Sequence, residues 1–375
     1  MQEMDIEWPD FLEQQFERIH AYERLGIEST LSCTPYDRGI ELTSGVASWA
    51  ESNAVCFSNS WTSLITNRES GLSALATALT GFAPKWGLHL AANRIPNIRV
   101  DLTGEMNELA DWSILGDWIG KQVRPDWDLS WGPMPFIRGM PNTVSFASKK
   151  ALTAAAANYG CPMLWAEGHS VDPPLDKDAS GNWLPPANGW AGVLEFTESD
   201  LRQRYEDLAP KGQVDLVVIG CPQASIEEIR RTASAVRSYA EVGQKIPDNR
   251  LWLFTSGENY QVACDDGSIE LLEAAGVVIL QDTCPEVTPY KHYLTSGLNR
   301  IPTSVMTIPD CVAHAFNPQL SAGERPTISA KAQPQHQSAK THQDGDFTAQ
   351  GNGLSSQGDF TITGRAMSTD VAITY

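Results

Sequence analysis

The clearest structural signal in the chain is Val214-Asp-Leu-Val-Val-Ile-Gly-Cys-Pro-Gln-Ala-Ser-Ile-Glu-Glu228. Its apolar first half is typical of a strand that is buried on both faces. A turn at Cys-Pro-Gln-Ala follows, and Ser225 with Glu228 then has the spacing of a capping box, which predicts a helix to about Val242. A buried strand that leads straight into a helix is the repeating unit of a parallel sheet covered by helices.

The alternation of strand and helix continues along the chain. A strand at Leu251–Phe254, a helix at Ile269–Ala275 and a strand at Gly276–Leu280 follow in order. Upstream, the pattern predicts helices over residues 10–26, 71–81 and 149–158, strands over 53–59 and 97–102, packed loops over 111–140 and a surface loop over 172–190. The helix at 71–81 should be buried. The prediction is an α/β protein with mostly parallel sheets flanked by helices.

Composition and charge exclude several classes of partner. The 375 residues carry 27 basic and 46 acidic side chains, a net charge of −19, which argues against nucleic acid and anionic membrane surfaces as general partners. No apolar run approaches the roughly 20 residues that span a bilayer. The acidic start, Met1 to Glu7, lacks the features of a signal peptide. The seven cysteines show no paired spacing, so we expect a reduced, cytoplasmic protein.

Three cysteines lie where a ligand site would form. Cys221 follows the buried strand and precedes a helix, Cys284 lies at the end of a later strand, and Cys33 lies in a polar turn. Ligand sites in parallel sheets gather at such strand ends, and three thiolates suit a soft metal or an iron–sulfur cluster. The alternative is that each is a small buried apolar residue, as free cysteines commonly are. Spacing alone leaves both interpretations open.

Polar residues beside short apolar runs mark a second candidate region. Glu51, Ser52, Asn59 and Ser60 surround the apolar run 54–57, and we interpret this segment as the floor of an active site. Thr66, Asn67, Arg68 and Glu69 precede the predicted helix at 71–81, where they either hold an anion or cap the helix. His89 and Arg138 are polar groups in apolar surroundings, with a plausible hydrogen-bonding role in the core.

Taken together, these stretches resemble the large subunit of the aconitase X family, which includes phosphomevalonate dehydratase and cis-3-hydroxy-L-proline dehydratase. The matching segments are residues 21–26, Cys33-Thr-Pro-Tyr36, Trp49-Ala-Glu-Ser52, Ser58-Asn-Ser60, Thr66-Asn-Arg-Glu69, residues 73–76 and 78–81, Gly87-Leu-His89, Arg138-Gly139, Asp215-Leu-Val-Val-Ile-Gly-Cys-Pro222, Thr255-Ser256 and Asp282-Thr-Cys284. The resemblance implies an aconitase-like fold and a bound iron–sulfur cluster or mononuclear iron on Cys33, Cys221 and Cys284. It also implies substrate binding by Glu51, Ser52, Asn59, Ser60, Thr66, Asn67, Arg68 and His89.

The activity implied by the resemblance is that of a hydro-lyase on a small hydroxy acid. We expect cis-3-hydroxy-L-proline as substrate, with phosphomevalonate as the alternative, because no Gly-rich phosphate loop is recognisable. The base is expected on a small swivelling domain, fused or on a second chain. A second hypothesis is a non-catalytic, truncated or divergent relative.

The domain prediction divides the chain into three parts. Residues 1–316 form the catalytic region, without the N-terminal segment that the family normally has. Residues 317–358, rich in Ser, Thr, Gln and Gly, form a disordered linker. Residues 359–375 are the possible start of a truncated small swivelling domain.

Overall fold

The computed structural model describes residues 9–37, 44–170, 172–285, 303–317, 319–320 and 371–374. Its strands are β1 Gly45–Trp49, β2 Leu64–Arg68, β3 Ile98–Leu102, β4 Pro135–Arg138, β5 Trp165–Ala166, β6 Gly192–Phe196, β7 Val214–Ala224, β8 Leu251–Thr255, β9 Val278–Gln281, β10 Thr303–Val305 and β11 Val371–Thr374. Its helices of seven residues or more are α1 Pro9–Arg24, α2 Ser52–Trp61, α3 Gly71–Thr80, α4 Leu109–Gln122, α5 Phe146–Ala157, α6 Glu198–Leu208, α7 Ile226–Ala240, α8 Gly257–Asp265, α9 Ser268–Ala274 and α10 Ile308–Phe316.

The strands form three sheets that are parallel except at one edge. β1 and β2 pair in parallel, and a four-stranded parallel sheet has the order β5-β4-β3-β6. The third sheet has the order β10-β11-β7-β8-β9, in which β7, β8 and β9 are parallel and β11 is antiparallel to both of its neighbours. The predicted α/β class with mostly parallel sheets is confirmed.

One buried cluster of side chains joins the two larger sheets to the helices that cover them. The centre of this core is the packing of α4 on α5, which is so close that a Cβ on Gly116 would collide with the carbonyl oxygen of Leu152. Only glycine fits at that crossing. The predicted helix at 149–158 is therefore confirmed as α5, and α4 is its main neighbour.

Two of the predicted elements are wrong. Residues 53–59 lie in α2, not in a strand: Glu51 caps the helix by accepting a hydrogen bond from the backbone N–H of Asn53, and residues 53–60 are buried. A short apolar run fits a buried helix as well as a buried strand, and neighbouring packing decides between them. Residues 109–122, predicted as packed loops, form α4, which is buried from Leu109 to Gly120.

The helix predicted at 71–81 is present as α3, but it is not buried. Leu72 is 79% exposed and Leu79 is 55% exposed. The other predicted helices and strands of the 210–281 region are confirmed within a few residues of their bounds.

The C-terminal predictions are only partly within the described ranges. Residues 321–370, which include most of the proposed linker and the first part of the proposed small domain, lie outside them. Residues 371–374 form β11, which pairs with β7 of the third sheet. None of the helices in the described ranges combines the length and the apolar character needed to cross a bilayer.

Candidate active site at the carboxyl ends of β7 and β9

Gln223 links the segments that carry all three predicted cysteine ligands. Its side-chain Oε1 accepts a hydrogen bond from Ser32 Oγ at 2.9 Å, and its Nε2 donates to the carbonyl oxygens of Leu31 and Thr283, both at 3.3 Å. Its backbone N–H donates to Cys33 Sγ at 3.3 Å. Since Gln223 itself follows Cys221 by two positions, the loops of Cys33, Cys221 and Cys284 meet around one buried amide.

The backbone that carries Cys221 leaves the regular ladder of β7. The pairing of β7 with β8 shifts between Ile219 and Ala224, so the intervening residues lie outside the ladder. Gly220 has φ 103° and a Cβ there would collide with the carbonyl oxygen of Phe254, so only glycine allows this departure. The expected turn after the strand is thus an irregular segment at the strand's carboxyl end.

Cys284 lies at the same edge of the sheet because β9 ends at Gln281. Asp282 follows with φ 53°, and its side chain accepts a hydrogen bond from the backbone N–H of Gly257, the first residue of α8. This contact holds the chain that leads to Cys284 against the start of α8. Both cysteines of the third sheet are therefore placed by strand ends, as expected for a parallel sheet.

Cys33 reaches the site from a segment ahead of the first sheet. Its pKa is raised to about 12, chiefly by burial; the hydrogen bond from the Gln223 N–H opposes the rise, and the charges of Cys284 and Glu51 add to it. Asn53 fixes the segment by donating to the Cys33 carbonyl at 3.0 Å.

A buried ion pair lies under the Cys221 segment. Lys150 of α5 and Glu228 of α7 are both fully buried, and Lys150 Nζ donates to Glu228 Oε2 at 2.6 Å. The same ammonium donates to the carbonyl oxygen of Gln223 at 2.6 Å. The predicted capping box of Ser225 and Glu228 is confirmed, but Glu228 also neutralises Lys150. A buried pair of this kind fixes geometry more than it adds stability.

Asp37 is a carboxylate on the Cys33 segment, near the ion pair of Lys150 and Glu228. Its Oδ2 accepts a hydrogen bond from Asn259 of α8 at 2.9 Å. Burial raises its pKa to about 6, and Lys150 and Asn259 oppose that rise. A carboxyl group with such a pKa exchanges its proton near neutral pH, as general acid–base chemistry requires.

Three of the eight predicted substrate-binding residues lie at the open edge of the first sheet. Glu51 is exposed just beyond β1, close enough to Cys33 for its charge to act on the thiol. Ser52 follows it, and Arg68, also exposed, ends β2 opposite Trp49. Their part in substrate binding stays a prediction.

The other five predicted residues belong to hydrogen-bond networks inside the protein. Asn59 donates to the Thr66 carbonyl at 2.9 Å and accepts from the guanidinium of the buried Arg94. Ser60 Oγ donates to the Cys56 carbonyl. The side chains of Thr66, Asn67 and His89 join backbone groups of residues 47, 49, 67, 84, 86 and 88. These polar groups support the floor of the site by holding α2, β2 and the 84–89 loop together.

The segment Thr66–Glu69 contacts the helix that follows through one of its residues, Glu69. Ser70 caps α3, and Glu69 accepts a hydrogen bond from Ser73 at 2.6 Å. The cap is therefore Ser70, one residue beyond the predicted segment, and Glu69 assists it by its bond to Ser73. Arg138 lies at the carboxyl ends of the four-stranded sheet, and its side chain is 38% exposed. Its Nη1 is 3.6 Å from Asp101 Oδ1, and its Nε is 3.9 Å from Glu167 Oε2.

The remaining cysteines lie apart from the three loops. Cys56, Cys161 and Cys311 are buried, and Cys264 is half-buried. Cys56 and Cys161 share a small apolar cluster, and Cys161 Sγ donates to the carbonyl oxygen of Met163 at 3.0 Å. Within the described part of the chain, no three His, Cys, Asp or Glu side chains are already spaced as a metal site. What the structure brings together is therefore the cysteine loops, not a finished set of ligands.

The sequence analysis missed the residues that join these loops. Gln223 had no recognisable signal, because a glutamine in a turn is ordinary. Lys150 did have one: it lies among Ala147, Ala151 and Ala154 on the apolar side of α5, where a charged residue requires a buried partner.

Comparison with known proteins supports the same location. The model of the aconitase X first domain matches residues 2–92, and that of the third domain matches residues 214–308. Cys33 lies in the first matched region, and Cys221 and Cys284 lie in the second.

Individual relatives extend the similarity over most of the chain. The phosphomevalonate dehydratase large subunit of Thermococcus kodakarensis is 32% identical over 290 residues, which cover 76% of this chain and 69% of the relative. The corresponding subunit of Methanothermobacter thermautotrophicus is 32% identical over 285 residues, 75% of this chain and 65% of the relative. The chain thus spans about two thirds of the length of these relatives.

A second group of relatives is more distant. The cis-3-hydroxy-L-proline dehydratase of Hypocrea jecorina is 30% identical over 280 residues, 70% of this chain but 43% of the relative. Among solved structures, the crystal structure of Thermococcus kodakaraensis aconitase X in its holo-form superposes with a TM-score of 0.64 at 28% identity, covering 77% of this chain and 70% of that one.

Proposed function

The chain belongs to the aconitase X family of hydro-lyases, and we propose that its substrate is phosphomevalonate. The observation that carries the proposal is the convergence of three cysteine-bearing loops on Gln223, at the strand ends where this fold class binds ligands. The similarity to phosphomevalonate dehydratase large subunits directs the choice of substrate.

The choice of substrate replaces the one expected from the sequence. A hydroxyproline was preferred there because no Gly-rich phosphate loop was recognisable. The phosphomevalonate dehydratase large subunit of Thermococcus kodakarensis matches slightly better, at 32% identity over 290 residues, than the hydroxyproline dehydratase of Hypocrea jecorina, at 30% over 280 residues. Arg68, exposed at the end of β2, also offers a cation for a phosphate group without such a loop.

The donor set fits the proposed cofactor. Thiols are the ligands that iron–sulfur clusters and soft metals prefer, and the segments that carry three of them meet at Gln223. We propose that Cys33, Cys221 and Cys284 hold an iron–sulfur cluster or a single iron. When bound, such a centre supplies a Lewis acid for the departing hydroxyl group.

The chain's own residues would act around that centre. Glu51 and Arg68 are placed to contact the substrate, and the networks of Asn59, Asn67 and His89 hold the surface on which it rests. Asp37 is a proton carrier of suitable pKa within this chain. By similarity to proteins named as large subunits, we propose that a small subunit or domain completes the site.

The direct test measures dehydration of phosphomevalonate by anaerobically reconstituted protein together with the small subunit of a relative. We expect turnover of phosphomevalonate and none of cis-3-hydroxy-L-proline. Turnover of the second compound alone would reject the substrate assignment.

The cysteine assignment has a separate test. Cys33→Ser, Cys221→Ser and Cys284→Ser should each remove the visible absorbance of the reconstituted protein, because each removes one thiolate ligand. Cys264→Ser is the matched control, since Cys264 lies on α8 away from the three loops, and it should keep the absorbance. Retention of the full spectrum in any of the three variants would exclude that residue as a ligand.

A further inference from the structure

We propose that Gln223 is a positioning residue whose side-chain amide holds together the loops of Cys33, Cys221 and Cys284, around the place where they would share a ligand. The inference rests on the proposed function only for the identity of that ligand. The holding of the loops itself is a property of the protein alone, so it can be measured separately.

The side chain of Gln223 uses both ends of its amide. Nε2 has two protons, and it donates one to the carbonyl oxygen of Leu31 and one to that of Thr283. Leu31 precedes Cys33 by two positions and Thr283 is the neighbour of Cys284, so one nitrogen joins two cysteine segments that are far apart in the chain. Oε1 accepts from Ser32, which strengthens the link to the first of them.

The main chain of Gln223 completes the connection. Its N–H donates to Cys33 Sγ at 3.3 Å, and the peptide belongs to the segment that carries Cys221. All three loops therefore meet at a single residue, which is 2% exposed. A buried amide with its donors and acceptor satisfied is costly to replace, because each partner would lose its hydrogen bond in a place that water does not reach.

Gln223 is itself held by a buried ion pair. The ammonium of Lys150 donates to the carbonyl oxygen of Gln223 at 2.6 Å and is neutralised by Glu228. Because these two side chains are fully buried on α5 and α7, they tie the amide to the rigid core of the protein. The hydrogen bonds of Gln223 therefore connect the cysteine loops to the buried core.

Few side chains could replace this glutamine. Glutamate has the same shape and keeps the acceptor for Ser32, but its carboxylate would face the carbonyl oxygens of Leu31 and Thr283 without a proton to share. Methionine has a similar length and volume but lacks both donors and a strong acceptor. The two substitutions therefore separate the hydrogen bonds from the packing.

The test follows hydrogen–deuterium exchange in the metal-free full chain by mass spectrometry. In the wild-type protein we expect slow exchange in the peptides that contain residues 31–34 and 282–284, because Gln223 holds both segments. Gln223→Met and Gln223→Glu should raise the exchange rates of both peptides at least fivefold, while peptides of α4 keep their rates. Gln261→Met is the matched control: Gln261 lies exposed on α8 and bonds to Asp265 of the same helix, and its replacement should leave both exchange rates unchanged.

Loss of iron gives a second readout on the reconstituted protein. Gln223→Met should release iron to a chelator at least tenfold faster than the wild type and show an altered visible spectrum, whereas a merely structural role would lower the unfolding temperature and leave these unchanged. Should Gln223→Met fail to fold, Ser32→Ala decides instead. It removes the hydrogen bond to Gln223 Oε1, together with the bonds of Ser32 Oγ to the backbone N–H and the hydroxyl of Thr34, and it should raise the exchange rate of the 282–284 peptide, which does not contact Ser32 directly, about twofold.

The outcomes separate this inference from the proposed function. Exchange rates that do not change in Gln223→Met, or in Ser32→Ala if the former does not fold, overturn the positioning role even if the protein binds iron. Exchange rates that depend on Gln223 in a protein that binds no iron support the positioning role and overturn the proposed cofactor.

Discussion

At the scale of single residues, Asp37 lies in surroundings that disfavour its ionised form. It lies four positions after Cys33, hydrogen-bonded to Asn259 and largely removed from water. Burial outweighs the favourable contacts, so its pKa is about 6 where an ordinary Asp has 3.8. Carboxyl groups kept in such surroundings are frequent at active sites, where a proton must be exchanged near neutral pH.

This pKa has a consequence for stability that can be measured. Below about pH 4, Asp37 is protonated in both the folded and the unfolded chain and contributes nothing. Between about pH 4 and pH 6 the unfolded chain ionises first, so the free energy of unfolding falls, by roughly 3 kcal/mol at most once the pH is above the folded pKa. Asp37→Asn removes this loss. At pH 7.5 the variant should therefore be more stable than the wild type by about 1–3 kcal/mol in urea unfolding.

Asp126→Asn is the control for the sign of this effect. Asp126 is exposed, and its hydrogen bond with Arg124 lowers its pKa, so its charge favours the folded chain at neutral pH. That variant should be no more stable than the wild type. If Asp37→Asn were less stable than the wild type at pH 7.5 and equal to it at pH 4, the assigned direction of the Asp37 pKa would be wrong.

At the scale of the elements, two helices differ in burial from what their sequences suggest. α3 is rich in Leu and Ala, yet Leu72 is 79% exposed on it. α4 includes Asp111, Asp117 and Lys121 and was expected to be a loop, yet it is the most deeply buried helix of the sheet-covering core. Its charges have partners within the helix and beyond it: Lys121 Nζ lies 3.4 Å from Asp117 Oδ2, and Arg204 of α6 also pairs with Asp117.

A pair of leucine substitutions tests this difference in burial. Leu115→Ala in α4 should lower the free energy of unfolding by about 2–5 kcal/mol, because Leu115 is fully buried and a cavity would remain. Leu72→Ala in α3 should change it by less than about 0.5 kcal/mol, since little apolar area is lost and alanine favours the helix. Urea unfolding of both variants provides the measurement. A comparable loss at Leu72 would mean that α3 is covered in the intact protein.

At the scale of the whole molecule, net charge works against the folded chain. The 46 acidic and 27 basic side chains leave a net charge of −19, and their mutual repulsion is relieved when the chain expands. Salt screens this repulsion, because the Debye length falls from about 30 Å at 0.01 M to about 8 Å at 0.15 M.

The expected result is a rise in the unfolding temperature with salt. Between 0.01 and 0.2 M NaCl at pH 7.5 we expect an increase of roughly 1–2 °C, which corresponds to about 1 kcal/mol for a chain of 375 residues at the usual unfolding entropy of about 2.1 cal/mol/K per residue. Near pH 4.7, the pI of the chain, the net charge is close to zero and the increase should disappear. An equal increase at both values of pH would show that the salt acts by something other than screening.

Local patterns in the sequence were sufficient for the fold class and for the positions of the cysteine loops. The apolar run 214–220, the capping box at Ser225 and the strands at 251–254 and 276–280 are determined by neighbours in the chain, so each was predictable. Cys221 and Cys284 could be placed at one edge because parallel strands align their carboxyl ends. The aconitase X membership followed from the order of short motifs, and the comparisons confirm it.

Tertiary structure alone decided which polar groups belong to the site and which support it. Asn59, Thr66, Asn67 and His89 have the composition of ligand-binding residues, but contacts from other elements occupy their hydrogen-bonding atoms. Conversely, Gln223 and Lys150 acquire their roles from groups up to 192 positions away, Leu31 in the case of Gln223. A hydrogen bond depends on distance in space, and the sequence shows only distance along the chain, so those assignments required the folded molecule.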